Sequence, residues 1–248
     1  MYLKTRGIVL RETEYKDADK LLTVLTVDRG QLTLHARGVR SKNSRLKSGC
    51  QLLAYSEFTV FENRGKMTVD EAVPIELFLK LREDIELLTL ASYFSQVAET
   101  LSQEDAPNPE LLSVLLNSLY ALSQMQKPQL LVKGIFELRT ACIAGYTPML
   151  DGCAVCGCGM PDRFHVSGGV LQCAKCLMPE DDGIRLPVSA GTLAAMRYIT
   201  SCPGKKLFSF ALSKDCTEEL SGISETYLLT QLERGFFALD FYKSLQIT

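Results

Sequence analysis

Histidine is almost missing from this sequence: His35 and His165 are the only two in 248 residues. A Ser-His-Asp or Cys-His arrangement therefore has little to be built from. The motifs that cradle nucleotides or hold catalytic metals are absent as well. There is no G-x-x-x-x-G-K-[ST], no G-x-G-x-x-G opening a helix, no H-E-x-x-H and no G-x-S-x-G. "CPGKK" at 202–206 shares two letters with a phosphate loop but lacks its upstream glycine, and reads as a basic turn. Long apolar runs are also lacking. The longest uncharged stretch, Leu111 to Gln126, has 16 residues and includes Ser, Asn and Gln, too short and too polar to span a bilayer. The opening "MYLKTRGIVLRETEYKDADK" carries charges every few positions and no apolar core of signal-peptide length. These absences argue against an enzyme, against a membrane partner and against a small-molecule substrate, and point to a cytoplasmic protein.

What is there is unevenly placed. The net charge is only −2, yet residues 1–66 carry 13 Lys/Arg against 7 Asp/Glu, a balance of +6, and the remainder 14 against 22, a balance of −8. One end is built to meet polyanions. Within it, "LHARGVRSKNSRLKSG" at 34–49 holds Arg37, Arg40, Lys42, Arg45 and Lys47 and no acid. Such a run is often only a solvated loop. Its place in the cationic end, and the small hydroxyl and amide side chains of Ser41, Asn43, Ser44 and Ser48, favour contact with phosphate oxygens. The loop has no aromatic residue, so stacking on bases would fall to Tyr55, Phe58 or Phe61, if these are not core. His35 beside it is expected to be structural or close to phosphate.

Cysteine is the second concentration. The count of nine is odd, and four fall in paired spacing in "CAVCGCGMPDRFHVSGGVLQCAKC". Cys153 with Cys156, and Cys173 with Cys176, form two C-x-x-C turns, each able to aim two thiolates at one ion. "RFHVSGGVLQ" between them has the form of a tight hairpin that would bring the turns together. One structural zinc in a closed tetrahedral shell is the expected occupant, with Cys158 or His165 as possible substitutes for one ligand. A disulfide framework fits less well in a chain without an export signal.

Pattern along the chain gives the architecture. Hydrophobic content of 46% and charged content of 23% are those of a globular protein, and the length allows two or three units. "GIVLRET", "LLTVLTV", "QLTLHAR", "EFTVFEN" and "KMTVDEAV" read as five short strands, with "DRG" at 28–30 and "NRG" at 63–65 as turns. That is a small barrel or sandwich, of OB or SH3-like type. From Ile75 the apolar spacing becomes three and four, and helices are expected over 75–103, 109–126, 128–145, 187–202 and 216–245, with Gly145 as a stop. The expected class is α+β multidomain: a small β-barrel at 1–75, a helical domain at 76–150 and 186–248, and a zinc-binding insert at 151–185.

These pieces share a resemblance. "RGIVLRETEYKDADKLLTVLTVDRGQLTLHARGVRSKNSRLKSG" resembles the N-terminal OB domain of the bacterial recombination mediator family RecO. "GYTPMLDGCAVCG" followed by "CAKC" resembles that family's passage from helix to zinc insert, and "LDFYKSLQI" its C-terminal end. The resemblance implies an OB-fold, a helical domain and a four-cysteine zinc module. It also implies binding of single- and double-stranded DNA, annealing of complementary strands, and work with RecR and the single-stranded DNA-binding protein SSB in loading RecA onto gapped DNA, as part of the RecF pathway of repair after DNA damage. Arg37, Arg40, Lys42, Arg45 and Lys47 match its DNA-binding segment. An SSB tail, acidic with an apolar end, would dock on the helical domain, where Lys133 and Arg139 in "VKGIFELR" are the cations on offer. The family's basic cluster is thinner here. The rival reading of the same features is a zinc-ribbon transcription or RNA-binding factor; a zinc hydrolase would need an open coordination site.

Overall fold

A computed structural model describes residues 1–176 and 183–246 of the chain. Residues 177–182 of the expected insert, and the last two of the chain, lie outside the described residues.

The N-terminal strands form a closed barrel in the order β1-β2-β3-β5-β4, which is the OB arrangement. They are β1 (Tyr2–Tyr15), β2 (Asp19–Thr26), β3 (Gln31–Ala36), β4 (Tyr55–Asn63) and β5 (Lys66–Glu76). β1 is long enough to serve both neighbours, pairing with β4 over Tyr2–Ile8 and with β2 over Gly7–Tyr15. Gly7 sits where it changes partner: a Cβ there would meet the carbonyl of Leu25 and the side chain of Val24, each at 2.7 Å. Closure comes from the parallel contact of β3 with β5, Leu34 against Met67 and His35 against Thr68. Between β4 and β5, Arg64 and Gly65 both take positive φ (50° and 74°), as a two-residue hairpin of the tight primed type requires. The alternation of apolar and polar residues puts Leu22, Val24, Leu32, Leu34, Phe58, Val60 and Val69 inside and Thr33, His35 and Arg37 outside.

The helices follow: α1 (Ile85–Leu101), α2 (Pro109–Ser123), α3 (Gln129–Ile143), α4 (Ala190–Ser201), α5 (Lys214–Leu232) and α6 (Phe237–Leu245). α1 begins ten residues after the apolar spacing changes, because β5 runs on to Glu76 and a 3-10 turn occupies Leu79–Arg82. Asp84 then caps α1 by accepting from the N–H groups of Glu86 and Leu87. Asn108 caps α2 the same way, with Pro109 in its first turn. The stretch expected as one helix at 216–245 is two, broken where Glu233 turns left-handed at φ 51°. No helix among the described residues is long and apolar enough to cross a membrane.

Packing gathers the chain into two compact units, Met1–Gln124 with Phe236–Thr248, and Met125–Gly235. This grouping cuts across the segments expected at 76–150 and 186–248, since α1, α2 and α6 join the barrel's unit. Ser95 of α1 donates to the carbonyl of Leu10 in β1 at 2.7 Å, and Phe236 beside α6 packs edge-on to Tyr93 of α1. In the second unit α3 and α5 lie close, with Gly134 leaving room for the backbone of Ser221. The cysteine-rich segment adds a small sheet there, in the order β6 (Met149–Cys153), β8 (Val170–Gln172), β7 (Arg163–His165), β9 (Arg185–Pro187).

Candidate nucleic-acid interface and metal centre

The basic loop leaves β3 at Arg37 and returns at β4. It is held by its own backbone, in successive turns closed by the N–H groups of Ser41, Ser44, Lys47 and Cys50. Val39 and Cys50 are buried among the barrel's core residues and Leu46 packs against them, so the loop is pegged by apolar side chains while its cations point out. Its root is fixed as well. Asp19 accepts the N–H of Gly38 at one oxygen and faces His35 Nε2 with the other, each at 2.8 Å. The Gly38 N–H first, and His35 after it, hold the Asp19 carboxyl below its ordinary value, so it stays an anion.

Arg40 is engaged, 3.2 Å from Glu14 and donating to the carbonyl of Asp17. Arg37, Lys42, Arg45 and Lys47 are exposed and, among the described residues, none has an acidic partner. Four of the five expected cations are therefore presented bare on a fixed scaffold. Two more join them that the sequence reading passed over: Lys16 from the β1–β2 turn and Lys66 at the start of β5 line one cleft together with Arg37. Lys16 lies in one hairpin turn and Lys66 directly after another, and a cation at each turn was the signal that could have found them. Of the aromatics considered for stacking, Phe58 is fully buried, whereas Phe61 is exposed and pairs with Tyr2 at 5.1 Å.

The four expected cysteines come together. The sulfurs of Cys153, Cys156, Cys173 and Cys176 all lie within 4.8 Å of one another. A tetrahedral zinc with ~2.3 Å bonds would set its sulfurs ~3.8 Å apart, and the Cys156–Cys173 pair is already at 3.9 Å. Two turns make this geometry: the N–H of Gly157 bonds the Cys153 carbonyl, and that of Cys176 bonds the Cys173 carbonyl. β7 and β8 form the expected hairpin between them. Backbone N–H groups of Cys156, Val155 and Cys173 bring the Cys153 thiol down to about 6, so it is ready to act as thiolate. Burial first, then the thiols of Cys156 and Cys153, push Cys173 up. Cys158 contributes a carbonyl to the turn, with its side chain outside the group, and His165 Nε2 lies 3.2 Å from Ser167 Oγ, also outside it.

The cations on α3 are placed differently from the expectation. Lys133 is 2% exposed, its Nζ 2.7 Å from Glu225 and 3.0 Å from Glu137. Burial alone would lower its basicity, yet the two carboxylates hold it above the usual lysine range. A buried, doubly paired ammonium has no charge to offer a docking tail. Leu131, Ile135 and Phe136 are core too, at 2%, 0% and 0% exposure. Arg139 is half-buried and donates to the carbonyls of Ile199 and Thr200 at the end of α4.

Comparison with known proteins covers both units. The family model described as "Recombination protein O N terminal" matches residues 1–78, and "Recombination protein O C terminal" matches 82–239. Among curated relatives, "DNA repair protein RecO" of Acetivibrio thermocellus is 36% identical over 247 residues, covering 98% of this chain and 97% of its own. The protein of the same name from Dehalococcoides mccartyi is 30% identical over 248 residues, with 98% and 96% covered. That from Listeria monocytogenes is 29% identical over 226 residues, with 90% and 87% covered.

Proposed function

The chain belongs to the RecO family of DNA repair proteins, and on that premise we propose that it is a non-enzymatic mediator that binds single- and double-stranded DNA and anneals complementary strands. The observation that carries this is the pegged loop with Arg37, Lys42, Arg45 and Lys47 exposed and, among the described residues, unpaired by acids. Lysine and arginine on phosphate release counterions and give affinity that ignores sequence. Two backbones drawn to one cationic face repel each other less. Since the loop has no aromatic side chain, it leaves base edges open for pairing.

The four-cysteine group fits one structural zinc, held by Cys153, Cys156, Cys173 and Cys176 with no position left for a water. Bound there, the ion would tie the small sheet together. Partnership with RecR and with SSB, leading indirectly to RecA loading in the cytoplasm, comes from the resemblance. Of the two cations expected at an SSB-tail site, only Arg139 reaches the surface, and it alone carries that proposal.

The test is a pair of binding isotherms with the purified protein, on a labelled single strand and on its duplex. Both should bind, and both should weaken with salt. Binding to neither, or a strong preference for RNA competitor, would overturn the reading.

A further inference from the structure

Beside the loop lies a cleft of about 360 Å³ on the outer face of the barrel, large enough for a small ligand. Separate parts of the barrel build it: Tyr15 at the end of β1 and Lys16 in the turn after it, His35 of β3 and Arg37 directly after that strand, and Lys66 at the start of β5. Its lining is mostly apolar, and it includes three cations and no Asp or Glu. Tyr15 is 40% exposed, and its ring stands at 87° to that of His35 with centroids 5.4 Å apart. Two rings at a right angle make a corner: a flat group stacked on one turns its edge toward the face of the other. His35 cannot swing out of this corner easily, because Asp19 holds its Nε2 from the side of the loop root. Gly65 adds no side chain that could fill the space.

A flat aromatic group carrying negative charge satisfies all of these features at once, and a free organic cation or a neutral lipid satisfies few. We infer that this cleft captures one unstacked base of a single DNA strand, with Tyr15 and His35 receiving the ring and Lys16, Arg37 and Lys66 the adjoining phosphates. The inference rests on the DNA-binding reading and adds to it a distinction between strand forms. A duplex keeps its bases stacked and paired, so it can use the loop but not the corner. Arg37 belongs to both, standing at the rim of the cleft and the first position of the loop. A strand could therefore run from loop to cleft without a break.

The experiment uses the full chain, wild type and Tyr15→Ala, with three probes: a single-stranded oligonucleotide, the same strand with abasic sites throughout its length, and the duplex. Stacking of a base on an aromatic side chain corresponds to roughly a 5- to 150-fold change in affinity. Tyr15→Ala should lose that factor on the ordinary strand, lose little on the duplex, and lose nothing further on the abasic strand. Tyr15→Phe should keep wild-type affinity. The abasic comparison on wild type alone gives the same answer independently of any effect of substitution on folding. Equal loss on strand and duplex, or wild type binding the abasic strand as well as the ordinary one, would overturn the base site while leaving the DNA reading intact. If wild type binds none of the three, the DNA reading itself fails.

Discussion

Consider replacing Lys42, Arg45 and Lys47 together by alanine. All three are exposed, and none supports the loop, which is pegged by Val39, Leu46 and Cys50 and tied at Gly38 to Asp19. Thermal stability should therefore hardly move. DNA affinity should move a great deal. Arg40 is engaged with Glu14 and Asp17, so the loop offers four bare cations. At ~0.7 per phosphate for single strands, four contacts give a log–log salt slope of about −2.8. The loop's share alone should lower affinity about 50-fold between 50 and 200 mM salt. Removing three of the four should make the slope shallower by about 2.1, whatever Lys16 and Lys66 of the cleft add, and the fall between those salts about 20-fold smaller. Fluorescence anisotropy of a labelled strand over a salt series reads both quantities. A triple variant with the wild-type slope would refute the assignment of the contacts to this loop.

Three further outcomes follow from the geometry. Metal analysis of the purified protein should find one zinc per chain, lost with its share of stability in Cys153→Ser or Cys176→Ser and kept in Cys158→Ser; loss in the last would mean the ligand set is wrong. Lys133→Ala takes the shared ammonium from buried Glu137 and half-buried Glu225 and should cost ~3–5 kcal/mol in denaturant unfolding, where a cost under ~1 kcal/mol would contradict the buried pairing. Asp19 is depressed in the folded protein, so its hold on the loop root is complete above about pH 4 and is lost as pH falls through its lower folded value; the Gly38 amide proton should report a midpoint below that of a free aspartate, and a midpoint at or above it would exclude the clamp.

The barrel was legible because its information is local. Alternation within each strand and the turns at Asp28–Gly30 and Asn63–Gly65 state the strands and two of their hairpins directly, while the order that closes the barrel is set by long-range pairing. The four-cysteine cluster was legible for the same reason, as each C-x-x-C turn builds half of it within four residues. What escaped depends on distant partners. Lys133 reads as a surface charge until α5 brings Glu225 against it. The break at Glu233 is hidden because the apolar spacing of "ERGFFALDFY" continues through it, and only the left-handed turn at a non-glycine residue reveals it. The helix expected from Ile75 starts at Ile85 since Phe78 takes positive φ and Asp84 supplies the cap. Lys16, Arg37 and Lys66 are scattered in sequence and meet only once the barrel closes.

On the proposed function, the cationic loop lets this protein bring complementary strands together. The direct measurement is the rate at which two complementary oligonucleotides anneal, alone, with the wild-type chain and with the Lys42, Arg45, Lys47 triple alanine variant. The wild-type chain should accelerate annealing well above the spontaneous rate, at low salt most of all, and the variant should fall back close to it. A wild-type chain that binds both strands yet leaves the rate unchanged, or a variant that anneals as fast as wild type, would contradict the claim.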